Sequence, residues 1–216
     1  MDLKTDPEVF IKSNTTIMSP PHVPEIRLHL ASEAHDLWLK TEDELQEIGL
    51  PPPFWAFAWA GGQGLARYVL DHPEQVAGRN VMDFASGSGL VAIAAAKAGA
   101  ASVMAIDIDP WAEVAVCLNA KDNDVHVRFN GSNVIGSNVD ADVLLAGDVF
   151  YDRAFADALT PWFSMLSRKG VIVLVGDPGR AYLPKDRLEA CGTYEVPVTR
   201  ILEDSDVKKT TVWRFL

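Results

Sequence analysis

An apolar run ends in an acid at Val81-Met-Asp-Phe84, and a turn of small residues, Ala85-Ser-Gly-Ser-Gly89, follows it. A second apolar run ends in Asp107-Ile-Asp-Pro110, with Asp107 twenty residues beyond Gly87. Gly87 and Gly89 let backbone approach a ligand closely, and a helix starting there offers unpaired amides in its first turn. An acid at the distance of Asp107 meets ribose hydroxyls. The spacing therefore predicts a nucleoside-binding βαβ unit. Ile108 is expected to flank the base. Asn130 is expected either to touch the base edge or to serve as an ordinary turn residue.

Gly-x-Gly by itself does not choose between ligands, because dinucleotide folds use the same turn. Asp83 does choose. A carboxylate at the end of the first strand repels a pyrophosphate but suits the ammonium of a methionine moiety. The expected ligand is S-adenosylmethionine, with S-adenosyl-L-homocysteine as product. Ala85, Ser86, Gly87 and Gly89 are its expected contacts in the turn. The usual acid-x-Gly-x-Gly-x-Gly motif carries glycine where this chain has Ala85, and a negative φ there would make alanine harmless.

A fourth apolar run ends in Gly147-Asp-Val-Phe-Tyr-Asp152. Ligands of open parallel sheets bind beyond the strand ends where strand order reverses, which brings Asp148 toward the donor sulfur. Tyr151 lies a short loop further on. Asp148 and Tyr151 are the candidate catalytic pair. Asn/Asp-Pro-Pro-Tyr segments that hold planar amides need a Pro-Pro that this chain lacks.

The elements that position these groups alternate. Helix is expected over 62–72, strand over 80–84, helix over 89–98, strand over 102–107 and helix over 110–123. Strands follow over 125–129 and 141–146, a helix over 153–166, a strand over 171–175 and a short helix over 184–190. Two β-prone runs, 194–202 and 209–215, read as a hairpin with a bulge or edge at Pro197. The fold class is α/β: a Rossmann-like, seven-stranded methyltransferase sheet, mostly parallel with a C-terminal antiparallel hairpin. Residues 1–50 form an N-terminal, partly helical extension, with a helix over 31–48 after a proline-marked link, and residues 51–216 form the methyltransferase domain.

The chain has 216 residues, 48% of them hydrophobic, and a net charge of -11. That balance fits a globular protein and argues against a nucleic-acid binder, which needs cations to neutralise phosphates. Cys117 and Cys191 are far apart, with Cys117 expected as a buried free thiol, and the five histidines show no ligand spacing, so no metal is expected. An acidic N-terminus without an apolar core segment, and no run of about 20 apolar residues, point away from membranes and to the cytoplasm.

Asp-x-x-Tyr after the fourth strand resembles the seven-β-strand protein lysine methyltransferases. Phe54-Trp-Ala-Phe-Ala-Trp-Ala-Gly-Gly-Gln63, Asp107 to Pro110, Gly147 to Asp152, Gly176-Asp-Pro-Gly-Arg180 and Thr211-Val-Trp-Arg-Phe215 are similar to the electron transfer flavoprotein β-subunit lysine methyltransferases. The resemblance runs from about Phe54 to the C-terminus. It implies N-methylation of lysine on that β-subunit, with Trp59, Gly61 and Gln63 beside the cofactor and Asp148 aiming the ammonium. Lysine, with a pKa of about 10.4, must lose a proton first. Rival readings are methylation of another protein or a small amine, a non-catalytic cofactor-binding module that docks a partner through residues 1–50, and an NAD-dependent oxidoreductase.

Overall fold

The computed structural model describes residues 6–31, 52–198 and 205–216. Most of the expected helix over 31–48 and part of the expected 194–202 run lie outside the described residues. Helix α1 (Pro7–Asn14) starts with Asp6 accepting from the Glu8 amide and proline in its first turn. Strands β1 (Thr16–Met18) and β2 (Leu28–Leu30) pair antiparallel, a small hairpin that the proline-marked link did not suggest. Their three-residue lengths are too short to display a period of two.

The main elements follow as α2 (Ala60–Asp71), β3 (Asn80–Phe84), α3 (Leu90–Lys97), β4 (Ser102–Ile106), α4 (Pro110–Asp122), β5 (Arg128–Asn130) and β6 (Val143–Gly147). They continue with α5 (Arg153–Arg168), β7 (Ile172–Asp177), β8 (Leu188–Pro197) and β9 (Val207–Phe215). The seven-stranded sheet has the order β5-β4-β3-β6-β7-β9-β8. β3 to β7 run parallel, and β9 enters antiparallel between β7 and β8. Strand order reverses between β3 and β6, so a crevice opens over their carboxyl ends.

Alternation divides the core. Val81, Val143, Leu145 and Leu174 pack with α2 and α3 on one face. Met82, Phe84, Leu144, Ala146 and Val173 pack with α5 on the other. The successive residues Val143-Leu-Leu-Ala146 are all buried because both faces are covered. Phe10 and Ile11 of α1 share a third cluster with Trp55, Phe57 and Ala112, Ala115 and Leu118 of α4.

Two expectations are corrected. Residues 184–190 hold only a single 3-10 turn, Lys185–Arg187, before β8 begins at Leu188. Leu-Glu-Ala has good helix propensity, but pairing along β9 outweighs it. Of the two alternatives for Pro197 the edge holds, since it ends β8 on the sheet edge, and the register shift falls between Ala190 and Gly192. Cys117 is exposed, on the outer side of α4.

Helix α2 approaches the sheet at backbone distance. A Cβ on Gly61 would stand 2.4 Å from the Gly176 carbonyl oxygen and 2.7 Å from the Asp148 amide. Replacing Gly61 with alanine must push α2 off β6 and β7. We expect Gly61→Ala to destabilise by about 1–3 kcal/mol in denaturant titration.

The turn after β3 departs from expectation. Ala85 has φ +53, the left-handed region that costs a β-carbon about 1 kcal/mol or more. Ala85→Gly should therefore raise stability by about 0.5–1 kcal/mol in the same titration, despite the extra freedom that glycine gives the unfolded chain.

Candidate active site

Over the ends of β3 and β6 lies an open cleft of about 660 Å³, within the range of small-molecule sites. Nine of the thirteen expected site residues line it: Trp59, Asp83, Ala85, Ser86, Gly87, Asp107, Ile108, Asp148 and Tyr151. All but Trp59, which precedes α2, come from a strand end or the loop that follows it.

Asp83 is buried near the end of β3, and its carboxylate accepts from the Ala92 amide at 2.9 Å, in the first turn of α3. Burial pushes its carboxyl up to about 8, an effect the amide reduces and the nearby Asp107 charge adds to. Asp107 accepts from the Gly87 amide at 2.8 Å and from the Asp109 amide at 3.0 Å. It thereby ties the end of β4 to the glycine turn. Asp109 in turn caps α4 through the Trp111 amide at 2.9 Å. Ile108 is 72% exposed, an apolar side chain held out at the cleft edge. The Ser86 hydroxyl is buried against the cleft and finds no hydrogen-bond partner among the described residues.

The opposite wall is aromatic. Trp59 donates its indole N–H to the Phe54 carbonyl at 3.1 Å, and its ring meets those of Phe54 and Phe57 edge-on. Trp55 is buried and stacks on Trp111 at 6.3 Å, so it belongs to the core while also reaching the cleft. Four expected contacts stand behind the lining. Gly61 gives its amide to Asp148, and Gln63 spans from the Ala58 carbonyl to the His22 amide. Gly89 caps α3 with φ +79, close against Val116. Asn130, outside the lining, accepts from the Ser132 amide at 2.9 Å.

Asp148 has φ +62 and is 7% exposed. Its own amide donates to the Gly176 carbonyl at 2.8 Å, which helps hold that strained backbone in place. One carboxylate oxygen accepts from the Gly61 amide at 2.9 Å, and the other accepts from Arg180 Nε at 2.6 Å. Arg180, whose role the sequence left open, comes from the turn after β7. There Asp177 accepts from the Gly179 amide at 2.6 Å and the Arg180 amide at 2.8 Å. Burial raises the Asp177 carboxyl to about 6, with Asp148 adding to the effect and the two amides opposing it.

Tyr151 is about half exposed, with its ring 5.9 Å from Phe54 and 6.1 Å from Phe155. Burial, then the charges of Asp152, Asp107 and Asp148, raise its hydroxyl, so it stays protonated at neutral pH. It can donate or accept a hydrogen bond but does not act as a phenolate base. Phe54 and Phe155 were not anticipated as lining residues. Phe54 carries a sequence signal only in hindsight, as a large exposed aromatic opening the run to Gln63.

The ribosomal protein L11 methyltransferase family model matches residues 66–150. Among solved structures, the fold is similar to magnesium protoporphyrin IX methyltransferase from Synechocystis PCC 6803 with bound S-adenosylmethionine, at TM-score 0.55 and 14% identity, covering 86% of this chain and 100% of that one. It is also similar to the N-methyltransferase NodS from Bradyrhizobium japonicum WM9 with S-adenosyl-l-homocysteine, at TM-score 0.53 and 12% identity, covering 71% and 85%. Curated relatives match along nearly the whole chain. The electron transfer flavoprotein beta subunit lysine methyltransferase of Danio rerio is 38% identical, over 95% of this chain and 82% of the relative. That of Xenopus laevis is 38% identical, over 98% and 87%, and that of Homo sapiens 35%, over 97% and 83%. With its sheet order, acid-bearing glycine turn and Asp148 at the strand switch, this chain belongs to the electron transfer flavoprotein beta subunit lysine methyltransferase family.

Proposed function

We propose that this protein transfers a methyl group from S-adenosylmethionine to lysine on the electron transfer flavoprotein β-subunit. The observation that carries the reading is Asp148, a buried carboxylate held at the switch point beside the glycine turn, in a chain of this family.

The residues present fit the donor. Ser86 offers an unsatisfied buried hydroxyl, the α3 amides lie beyond the turn, Asp83 supplies a carboxylate for an ammonium, and Ile108 an apolar cover for a base. Asp107 would meet ribose hydroxyls, once it shares its bond to Gly87. When bound, the donor supplies an electrophilic methyl on a positive sulfur. The chain's part is then to position the acceptor. Phe54 and Tyr151 flank a way in for an aliphatic side chain, and Asp148 draws its ammonium to the cleft floor. Holding the nitrogen in line with the methyl supplies most of the rate, since no covalent step on the protein is needed. The net charge of -11 favours approach of a basic surface. Two exposed free thiols suit a reducing compartment, in support of a cytoplasmic reaction.

Incubation with labelled donor and purified flavoprotein should place label on lysine of the β-subunit. Label on other proteins only, or on small amines, would reject the substrate. Asp148→Asn should cut transfer at least about a hundredfold while S-adenosylhomocysteine still binds within a few-fold. Full activity in that variant would remove Asp148 from the mechanism.

Asp83 gives a pH signature. Its carboxyl stands at about 8 in the fold against 3.8 for an unperturbed group. The folded chain therefore holds a proton that the unfolded chain has lost between those values. Its contribution is full below the lower value and falls as pH rises toward the upper one. Thermal midpoints of the ligand-free protein should decline from mildly acidic pH to pH 8, and Asp83→Asn should flatten that decline. Binding a ligand ammonium favours the ionised form, so S-adenosylhomocysteine affinity should rise over the same span.

A further inference from the structure

Arg180 is the one cationic side chain lining the cleft among the described residues. Its Nε stands 2.6 Å from Asp148, and the side chains of the pair are 25% and 5% exposed. The pairing is built rather than incidental. Asp177 fixes the Arg180 backbone from a buried position, and Asp148 is fixed by the Gly61 and Gly176 contacts. A lysine ammonium brought to Asp148 therefore arrives beside a guanidinium as well as a carboxylate.

The two charges act oppositely on the acceptor. A carboxylate alone attracts the ammonium but holds its proton, which works against a reaction that needs the nitrogen lone pair. Other acids around the cleft press in the same direction. They are Asp107 and Asp109 after β4, Asp152 beside Tyr151 after β6, and Asp177 at the end of β7 once it ionises above about 6, while Asp83 from β3, at about 8, joins them only at higher pH. A nearby fixed cation opposes them.

We propose that Arg180 is a positioning residue which offsets the charge of Asp148, so that the acceptor lysine is drawn in by the carboxylate yet gives up its proton near neutral pH. The proton passes from the ammonium to water and leaves the nitrogen its lone pair. Arginine suits the task because it keeps its charge at any working pH. This inference rests on the lysine-methylation reading and deepens it.

The test is the pH dependence of methyl transfer to the flavoprotein at saturating substrate, read as kcat, which reports ionisations in the bound complex, for wild type, Arg180→Gln and Arg180→Lys. Substrate carrying aminoethylcysteine in place of the acceptor lysine, a more acidic amine, identifies which limb belongs to the acceptor. We expect that limb to move about one pH unit upward in Arg180→Gln and to stay near the wild-type position in Arg180→Lys. A lowered plateau with the limb unmoved would mean that Arg180 only shapes the site, and the proposal fails. A second measurement needs no turnover. With S-adenosylhomocysteine bound, affinity for the lysine-bearing substrate at neutral pH should tighten several-fold in Arg180→Gln. Equal or weaker binding overturns the proposal. Absence of lysine methylation by the wild type would instead defeat the functional reading on which it rests.

Discussion

Asp148, just past β6, ties together two parts of the molecule distant from it in sequence, the start of α2 and the end of β7 with its turn. Its bond to the Gly61 amide caps the start of α2, eighty-seven residues away along the chain. Its ion pair with Arg180 holds the turn after β7, and its own backbone is bonded to Gly176. A cap of this kind satisfies an orphan helix amide and places negative charge at the positive end of the helix dipole. It is possible only because α2 and the strand ends meet glycine to glycine. A Cβ on Gly147 would stand 2.7 Å from Gly62, and one on Gly176 would stand 2.1 Å from the Gly61 carbonyl oxygen. The cleft floor is thus fixed by the same contact that packs α2 on the sheet.

The other acids of the cleft follow the same logic. Asp83 bonds the first turn of α3, Asp107 bonds the glycine turn, Asp109 caps α4 and Asp152 caps α5 through the Phe155 amide. Each carboxylate at a strand end has a structural partner before any ligand arrives. Ligand binding must therefore share or exchange those bonds rather than find idle groups. Such exchange favours a cleft that keeps its shape, because the acids are already aimed.

That arrangement explains what could be read from sequence. The place of Asp83, Gly87 and Asp107 in the cleft was legible because it depends on chain spacing, which a linear string displays. Phe54, Arg180 and the Asp148 cap were less so, since their partners lie far off in sequence. Gly61 and Gln63 were expected at the ligand because they sit in the run that begins at Phe54. On α2, however, Trp59 and Gly62 are three apart and share the cleft side, which turns Gly61 and Gln63 toward the sheet and the Ala58 and His22 backbone. The positive φ of Ala85 left no trace, because an alanine announces nothing about its backbone. Strands β3 and β6 were readable from apolar runs. β8 was readable only from Tyr194 onward, because its helix-prone start is decided by β9.

The N-terminal segment extends the same dependence to the glycine-turn side of the cleft. Its buried side chains share clusters with the sheet and α4 rather than forming a separate core among the described residues. Strand β2 is fastened to α4 by the His29 amide, which donates to the Asn119 side chain at 2.7 Å, and by paired bonds between Arg27 and Asn123. Asn119 then donates to the Ser88 carbonyl at 2.8 Å, inside the glycine turn. The Ala31 amide donates to the Ala56 carbonyl, beside the aromatic wall. A buried amide side chain with both ends committed cannot shift without leaving one of them unpaired. The hairpin is therefore a brace on the glycine turn, and the position of that turn is set from outside the sheet as well as from β3.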